Sequence, residues 1–330
     1  MNESGIPSAP IDSSFRKKGK FEILLILIFI ISLALNIFLF VRLQNSDNVL
    51  SGQDFSLLNL RNSEPGDTTN SVSGILHYNG LMGIINSEIS SYNATGKVGV
   101  FVQDIGTGAW LGINEEGDFT PASLLKIPIA LAIMKKVDRG EIKLDDTITV
   151  TEQDVDTLYD FHYAPLQVGA NYTISDLLRR MISLSDNTAK NALKEKLSLE
   201  EIDAVFVHVG IRDPYVSEDN QTLSPRGYTR IFKALYYSTY LSPASSERLL
   251  DLATNTPDED LLSQNLPSQI VVAHKLGIIE NEFLHDCGIV YHPKNPYFIC
   301  IMTKGLSSND SSELIPKISK DVFDFVDSKS

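Results

Sequence analysis

The sequence contains little cysteine and little histidine. Two cysteines, Cys287 and Cys300, are too few for a disulfide-stabilised scaffold. They flank a segment rich in proline and asparagine, so they could meet across a hairpin in an oxidising compartment, but two buried free thiols are the favoured interpretation. The six histidines show no HxH or HxxxH spacing, so the sequence gives no indication of a metal-dependent mechanism.

Positive charge is also in short supply. The chain has 28 lysines and arginines against 42 acidic residues, a formal net charge of −14, and residues 1–20 carry a net positive charge, which leaves the rest more acidic still. This balance excludes nucleic acid and anionic membrane surfaces as partners of the body of the protein. No glycine-rich phosphate loop and no internal repeat occur, so we expect no nucleotide and no other cofactor.

One long hydrophobic run stands near the N-terminus. Residues 23–41 are interrupted only by Ser32 and Asn36, and as a helix they would measure about 28 Å, which matches the hydrocarbon core of a bilayer. The run is longer than the apolar part of a cleaved signal peptide, the alternative, and lacks an A-x-A-like cleavage site. We therefore predict a transmembrane signal anchor over 21–42.

The charges beside this run predict the topology. The basic cluster FRKKGK precedes it and only Arg42 follows closely, so by the positive-inside rule residues 1–20 are expected to be a cytoplasmic tail. The rest then faces outward: a single-pass protein of the cytoplasmic membrane with an extracytoplasmic body. Residues 43–72 are polar and aperiodic, typical of a solvated stalk linker.

The body, residues 73–330, has strand patterns at both ends and helical patterns between them. Two short strands follow residue 97, and strands return from Gln269. Helices are predicted over 199–209, 225–240 and 312–328, and after the capping box that begins at Thr173. The order predicts one α/β (α+β) domain with a helical subdomain inserted at about 138–257, and a cleft where the two meet.

Ser123 and Lys126 begin an apolar helical run. A spacing of three places both side chains on one helix face, and a lysine amine can activate a serine hydroxyl when burial or a nearby cation lowers the pKa of the amine. Alone, this spacing more often marks an ordinary surface pair. Pro128 breaks the helical pattern at an expected cost of up to about 3 kcal/mol, and broken local rules cluster at functional sites.

Two further motifs are weak individually. Ser185-Asp186-Asn187 follows an apolar helix, and its residue types are those of a common helix N-cap. Lys275-Leu276-Gly277 lies on the first strand after the helical region, where a lysine is commonplace. In this order, and in these structural contexts, the three motifs together resemble the set of class A β-lactamases and penicillin-binding proteins.

The resemblance covers about residues 75–328. It implies a β-lactamase/transpeptidase-like fold, an antiparallel sheet flanked by helices with an inserted all-helical domain. It also implies that Ser123 forms an acyl-enzyme, that Lys126 shares in its activation, and that Ser185 passes a proton to the leaving nitrogen.

The same resemblance assigns the substrate contacts. Asn187 would hold the substrate amide, and Lys275 would supply positive charge for a substrate carboxylate. The oxyanion hole would use the backbone N–H groups of Ser123 and Ile278. Gly277 would let the substrate backbone approach closely.

Two departures from the family pattern affect the prediction. Leu276 stands where the third motif normally carries a threonine or serine, so recognition of a carboxylate should weaken or change. The loop glutamate that activates water in class A β-lactamases has no clear counterpart, and Glu218 is the nearest possible deacylation base. Acylation is therefore expected to outpace hydrolysis.

Two functions remain open at this point. The first is a serine hydrolase acting on β-lactams or on D-alanyl peptides of the cell wall. The second is a catalytically impaired descendant that binds cell-wall fragments or a protein partner through the same cleft.

Overall fold

The computed structural model describes six parts of the chain, residues 56–58, 79–156, 163–211, 222–257, 261–279 and 281–329. The predicted cytoplasmic tail, transmembrane anchor and most of the stalk lie outside these residues, and so does Glu218. Within the described ranges, none of the helices combines the length and the hydropathy needed to cross a bilayer.

A five-stranded antiparallel sheet forms the centre of the body. Its strands come from both ends of the chain, as the sequence predicts, and lie in the order β2-β1-β7-β6-β5. Their bounds are β1 Val98–Asp104, β2 Trp110–Ile113, β5 Val272–Ile279, β6 Phe283–Val290 and β7 Tyr297–Lys304. A separate two-stranded sheet pairs β3 (Thr147–Thr149) with β4 (Asn171–Thr173).

Helices cover both faces of the large sheet. The described residues form α1 Asn79–Ser91, α2 Lys126–Asp138, α3 Ile174–Ser183, α4 Asn187–Lys194, α5 Leu199–His208, α6 Pro225–Tyr236, α7 Pro243–Thr254 and α8 Ser308–Lys329. The helices predicted for the body are all present, and the last one begins four residues earlier than expected.

The central strand β7 shows why the sheet is buried on both sides. Phe298, Cys300 and Met302 belong to one apolar cluster, with the helices from α2 to α7. Ile299 and Ile301 belong to a second cluster, with α1 and α8. Because neighbouring side chains of a strand point to opposite faces, the near-continuous apolar run of β7 fits a strand covered on both.

The two cysteines form a disulfide across the β6–β7 hairpin, so the expectation of two free thiols is wrong. Cys287 lies directly opposite Cys300, and their Cα atoms are 3.9 Å apart. Gly305 N donates a hydrogen bond to Glu282 O, so these two opposed residues form a hydrogen-bonded pair. Since hydrogen-bonded and non-hydrogen-bonded pairs alternate along an antiparallel ladder, Cys287 and Cys300 form a pair without backbone hydrogen bonds. Such pairs have the closest Cα atoms in an antiparallel sheet.

Part of the predicted stalk packs on the body. The carboxylate of Glu247 accepts a hydrogen bond from Leu57 N at 3.1 Å, and Tyr291 OH donates to Leu57 O at 2.9 Å. Leu58 is buried in the apolar cluster of the helical layer. Leu57 and Leu58 are therefore not part of a solvated linker. They are apolar residues in a largely polar segment, and they pack against the body.

Pro128 is less disruptive than its sequence position suggests. Helix α2 begins at Lys126, so Pro128 stands in its first turn. The N–H groups of a first turn have no partner within their own helix, and a proline there removes no helical hydrogen bond. The predicted cost of about 3 kcal/mol does not arise.

Candidate active site

Ser123 lies on a short 3-10 helix, Ala122–Leu125, that leads directly into α2. Ala122, the preceding residue, has a φ of 50°, in the left-handed region that residues with a Cβ atom rarely adopt. The buried Tyr228 donates a hydrogen bond from its hydroxyl to Leu124 O at 2.8 Å. A strained backbone held in place by tertiary contacts is typical of functional sites.

Lys126 connects the nucleophile segment to the helical subdomain. Its Nζ lies 2.9 Å from Ser123 Oγ and 2.9 Å from Ser185 Oγ, and it also donates to the backbone oxygen of Ser185. The lysine is 1% exposed. One buried amine therefore bridges two hydroxyls that are 62 positions apart in the chain.

The loop that carries Ser185 is also conformationally unusual. Ser185 has a φ of 54°, and Asp186 accepts a hydrogen bond from Ala189 N as the N-cap of α4. Arg180 Nε donates to Asp186 Oδ2 at 2.8 Å, and Tyr163 donates from its hydroxyl to Leu184 O. These contacts hold the Ser185 hydroxyl towards Lys126.

Asn187 begins α4, is almost fully buried, and lies two residues from Ser185. The expected contact of Asn187 with a substrate amide stays a prediction.

Strand β5 brings the third motif against the nucleophile segment. A Cβ atom on Gly277 would lie 2.9 Å from Pro121 O and 3.0 Å from Leu124 Cγ. The absence of a side chain at Gly277 therefore lets the nucleophile segment pack closely against β5. This differs from the expected close approach of a substrate backbone. Lys275 projects from the same face of β5, two residues away, and is fully buried.

Every second residue of β5 directs its backbone N–H and C=O groups to the edge of the sheet that faces away from β6. Tyr291 N donates to Val271 O, and in an antiparallel ladder such pairs recur at every second residue. The N–H and C=O groups of Leu276 and Ile278 are therefore directed away from β6. This direction of the Ile278 N–H is compatible with the predicted oxyanion contact, which stays a prediction. The Leu276 side chain packs in the cluster beside α1 and α8.

His285 contacts the residues that lead into Ser123, and this role was not predicted from the sequence. Its Nδ1 accepts a hydrogen bond from Thr303 N at 3.2 Å, so Nε2 carries the proton and donates to Thr120 O at 2.8 Å. Burial lowers the pKa of His285 from 6.5 to about 4. The imidazole is thus neutral at pH 7 and acts as a fixed connection between the sheet and Thr120.

The structure thus brings Ser123, Lys126 and Ser185 into direct contact and places Lys275 on the adjoining face of β5. Glu218 is outside the described residues. Arg180 and His285 were missed because their partners are set by the fold, and no local pattern marks them. In the described parts of the chain, no cluster of three or more histidine, cysteine or acidic side chains could hold a metal ion.

The arrangement is suited to nucleophilic catalysis. A neutral amine at Nζ can accept the Ser123 proton while the hydroxyl oxygen attacks a carbonyl carbon. The same Nζ can return a proton through Ser185 Oγ to a departing group, because both distances are within hydrogen-bonding range. The geometry would thus allow a proton to pass from Ser123 through Lys126 to Ser185.

Known proteins resemble the chain in both sequence and structure. A family model described as the beta-lactamase enzyme family matches residues 81–326. Beta-lactamase BRO-1 of Moraxella catarrhalis is 26% identical, over 72% of this chain and 81% of that protein. Beta-lactamase VEB-1 of Pseudomonas aeruginosa is 24% identical, over 72% of this chain and 86% of that protein.

A solved structure of a PBP-A mutant in an acyl-enzyme complex with penicillin G has a similar fold. It superposes with a TM-score of 0.67 at 28% identity, over 76% of this chain and 97% of that one. The β-lactamase/transpeptidase-like fold that the motifs imply is therefore confirmed, with an antiparallel sheet and helices. The expectation of an all-helical insertion is wrong in one respect, because the small β3–β4 sheet lies within it.

Proposed function

The chain belongs to the β-lactamase enzyme family of serine hydrolases, and we propose that it forms an acyl-enzyme on Ser123 with β-lactams or with D-alanyl peptides. The observation that carries the proposal is the contact of Lys126 Nζ with both Ser123 Oγ and Ser185 Oγ at 2.9 Å. The catalytically impaired alternative is less well supported, because the two hydroxyls that acylation needs both lie within hydrogen-bonding distance of Lys126.

Acylation uses these three residues in sequence. Ser123 Oγ bonds to the carbonyl carbon and loses its proton to Lys126, while the N–H groups of Ser123 and Ile278 stabilise the oxyanion. The carbon–nitrogen bond then breaks, and the nitrogen takes a proton from Ser185 Oγ, which regains one from Lys126. Lys275 supplies positive charge beside this path, and Asn187 holds the substrate amide.

Deacylation is proposed to be slow. Leu276 provides no hydroxyl for a substrate carboxylate, so recognition of the substrate is weakened or changed. The loop glutamate that activates water in class A β-lactamases has no clear counterpart in the sequence, and Glu218 is the nearest candidate in the sequence for this base. Loss of a well-placed general base slows a step by about 10² to 10⁴. This behaviour is closer to a penicillin-binding protein than to a fast drug-hydrolysing enzyme.

The proposed location follows from the N-terminal run. With residues 21–42 as an anchor, the catalytic domain would stand on the outer face of the cytoplasmic membrane, where cell-wall peptides occur.

A burst experiment tests the proposed function. The full chain is mixed with a chromogenic cephalosporin, and product is followed alongside the intact mass of the protein. We expect one equivalent of product in a burst, followed by slow turnover and an adduct that persists for minutes. Immediate fast turnover without an adduct would indicate an efficient β-lactamase, and no burst from a folded protein would support the impaired alternative.

A further inference from the structure

We propose that Arg180 is a positioning residue for the transfer of a proton to the leaving nitrogen, because it holds Ser185 Oγ in place through Asp186. This inference rests on the proposed function, since it uses the proton path from Ser123 through Lys126 to Ser185. It gives a role in the reaction to a residue outside the three motifs.

Ser185 occupies a backbone conformation that needs support from its surroundings. Its φ of 54° lies in the left-handed region, which residues with a Cβ atom rarely adopt. The residues on either side of it, Leu184 and Asp186, both donate from their backbone N–H groups to Arg180 O at 3.1 Å. These two bonds shape the turn between α3 and α4, but they involve only backbone atoms and do not orient the Asp186 side chain.

The guanidinium of Arg180 orients the Asp186 side chain. Arg180 Nε donates to Asp186 Oδ2 at 2.8 Å, while Asp186 Oδ1 accepts from Ala189 N at 3.1 Å. The side chain of Arg180 is 13% exposed and that of Asp186 is 6% exposed, so the ion pair is shielded from water. Because both carboxylate oxygens are engaged, the side chain cannot rotate without breaking a buried hydrogen bond of a charged group, and such bonds are costly to lose.

The other end of the guanidinium is also held. A second nitrogen of Arg180 donates to Ala164 O at 2.7 Å, and Arg180 Cζ lies 5.2 Å from the centre of the Tyr163 ring. Tyr163 donates from its hydroxyl to the backbone oxygen of Leu184. The contacts of Arg180 therefore reach the residues on both sides of Ser185.

The shape of the Arg180 side chain matters as well as its charge. A planar guanidinium can donate in two fixed directions and lie over an aromatic ring at the same time. A lysine ammonium is a compact charge and cannot contact all three partners in this way. We therefore expect Arg180→Lys to keep the charge beside Asp186 but to hold Ser185 less firmly.

The orientation of Ser185 matters for one chemical step. When a carbon–nitrogen bond breaks, the nitrogen needs a proton, which Ser185 Oγ gives and Lys126 Nζ, 2.9 Å away, replaces. When a carbon–sulfur bond breaks, the sulfur can leave as a thiolate, because the pKa of a thiol is only about 8.5. The proton that Lys126 took from Ser123 then passes to water. Loss of Arg180 should therefore slow acylation by β-lactams and spare acylation by thioesters.

The test compares the two leaving atoms in the full chain. Wild type, Arg180→Met and Arg180→Lys react with benzylpenicillin, where nitrogen leaves, and with an N-benzoyl-D-alanyl thioester of thioglycolate, where sulfur leaves. Acylation by penicillin is followed by intact mass, and kcat/KM for the thioester is taken from the release of thiol. The protein adds no thiol to this signal, because its two cysteines form a disulfide.

The expected result is a loss confined to penicillin. Arg180→Met should slow acylation by penicillin about 10- to 100-fold, the effect of a small displacement of a reacting group. The thioester, which needs no proton from Ser185, should change by less than about threefold. Arg180→Lys should show the same split with a smaller loss. Arg179→Met, an exposed neighbour on α3, is the matched control and should change neither rate.

A double variant connects the effect to Ser185. Ser185→Ala alone should slow acylation by penicillin and spare the thioester. Adding Arg180→Met to Ser185→Ala should slow acylation by penicillin by less than about twofold more, because residues that act as a unit are not additive.

The outcomes separate the two proposals. Equal losses on both substrates in Arg180→Met, or in Arg180→Lys if the methionine variant does not fold, would leave Arg180 a purely structural role and overturn the inference. Unchanged acylation by penicillin, or a fully additive loss in the double variant, would overturn it as well. Acylation of Ser185→Ala at the wild-type rate, or no reaction of the folded wild type with either substrate, would overturn the proposed function itself.

Discussion

His285 donates a hydrogen bond from Nε2 to the carbonyl oxygen of Thr120, 2.8 Å away, and so ties β6 to the residues that lead into Ser123. The imidazole is completely buried, and Thr303 N donates to its other nitrogen. The buried imidazole is neutral, and both of its nitrogens are hydrogen-bonded. Protonating it in the folded state is unfavourable, so the stability of the protein depends on pH.

We predict that this dependence falls between pH 6.5 and pH 4. Because the pKa of His285 is about 4 when folded and 6.5 as the ordinary value, the unfolded state binds a proton in this window and the folded state does not. Stability is therefore full above pH 6.5 and is lost as the pH falls towards 4. The loss is about 3 kcal/mol, measured as the free energy of unfolding in denaturant.

His285→Asn should flatten this dependence while lowering stability at pH 7, because the hydrogen bond to Thr120 weakens. His208→Asn, at an exposed position, is the control and should retain the slope. A slope in His285→Asn equal to that of the wild type would assign the effect to other groups.

Lys126→Met tests the role of the bridging amine. Methionine keeps most of the buried volume but cannot exchange a proton with Ser123 or Ser185. Acylation by benzylpenicillin is expected to slow by about 10² to 10⁴, as for removal of a general base. Lys143→Met, on the surface, should acylate at the wild-type rate, and a rate for Lys126→Met within threefold of wild type would exclude the proposed proton path.

Gly277→Ala should disturb the nucleophile segment. The new Cβ atom would stand 2.9 Å from Pro121 O, tighter than a normal contact, so the 3-10 helix that carries Ser123 must shift. Small displacements of reacting groups cost up to about 10² in rate. The expected result is acylation slowed by about tenfold or more, measured by the time course of the penicillin adduct.

The matched control is Gly83→Ala on α1, where a Cβ atom would meet nothing within 4 Å. It should leave acylation unchanged and raise stability by about 0.5 to 1 kcal/mol, the helix preference of alanine over glycine. Equal acylation rates in the two variants would mean that Gly277 has no positional role.

The disulfide gives a prediction about folding stability. Cys287 and Cys300 close a short loop, separated by 13 positions. Denaturing the protein without reductant should expose no titratable thiol, and adding reductant should lower the free energy of unfolding by about 2 to 4 kcal/mol. Two titratable thiols in the unreduced, denatured protein would contradict the bond.

The sequence predicted the elements but not the contacts that orient the site. The Ser123–Lys126 spacing and the strand at Lys275 were readable because they depend on helix and strand periodicity. The left-handed backbone of Ala122 and Ser185 has no glycine to mark it, and the partners of Arg180 lie on other segments. Tertiary packing sets these features, so no local pattern reports them.

The disulfide and Pro128 show the same limit in detail. Whether Cys287 and Cys300 meet depends on the β6–β7 register, which the turn composition alone left open. The cost of Pro128 depends on where α2 begins, and a shift of the start by a few residues decides whether a hydrogen bond is lost.

The most direct test of the account is to locate the penicillin adduct. The full chain is incubated with benzylpenicillin, digested and analysed by mass spectrometry beside Ser123→Ala. We predict a single acyl group on the peptide that contains Ser123, and none in the variant. An adduct on another residue, or equal labelling of Ser123→Ala, would contradict the account.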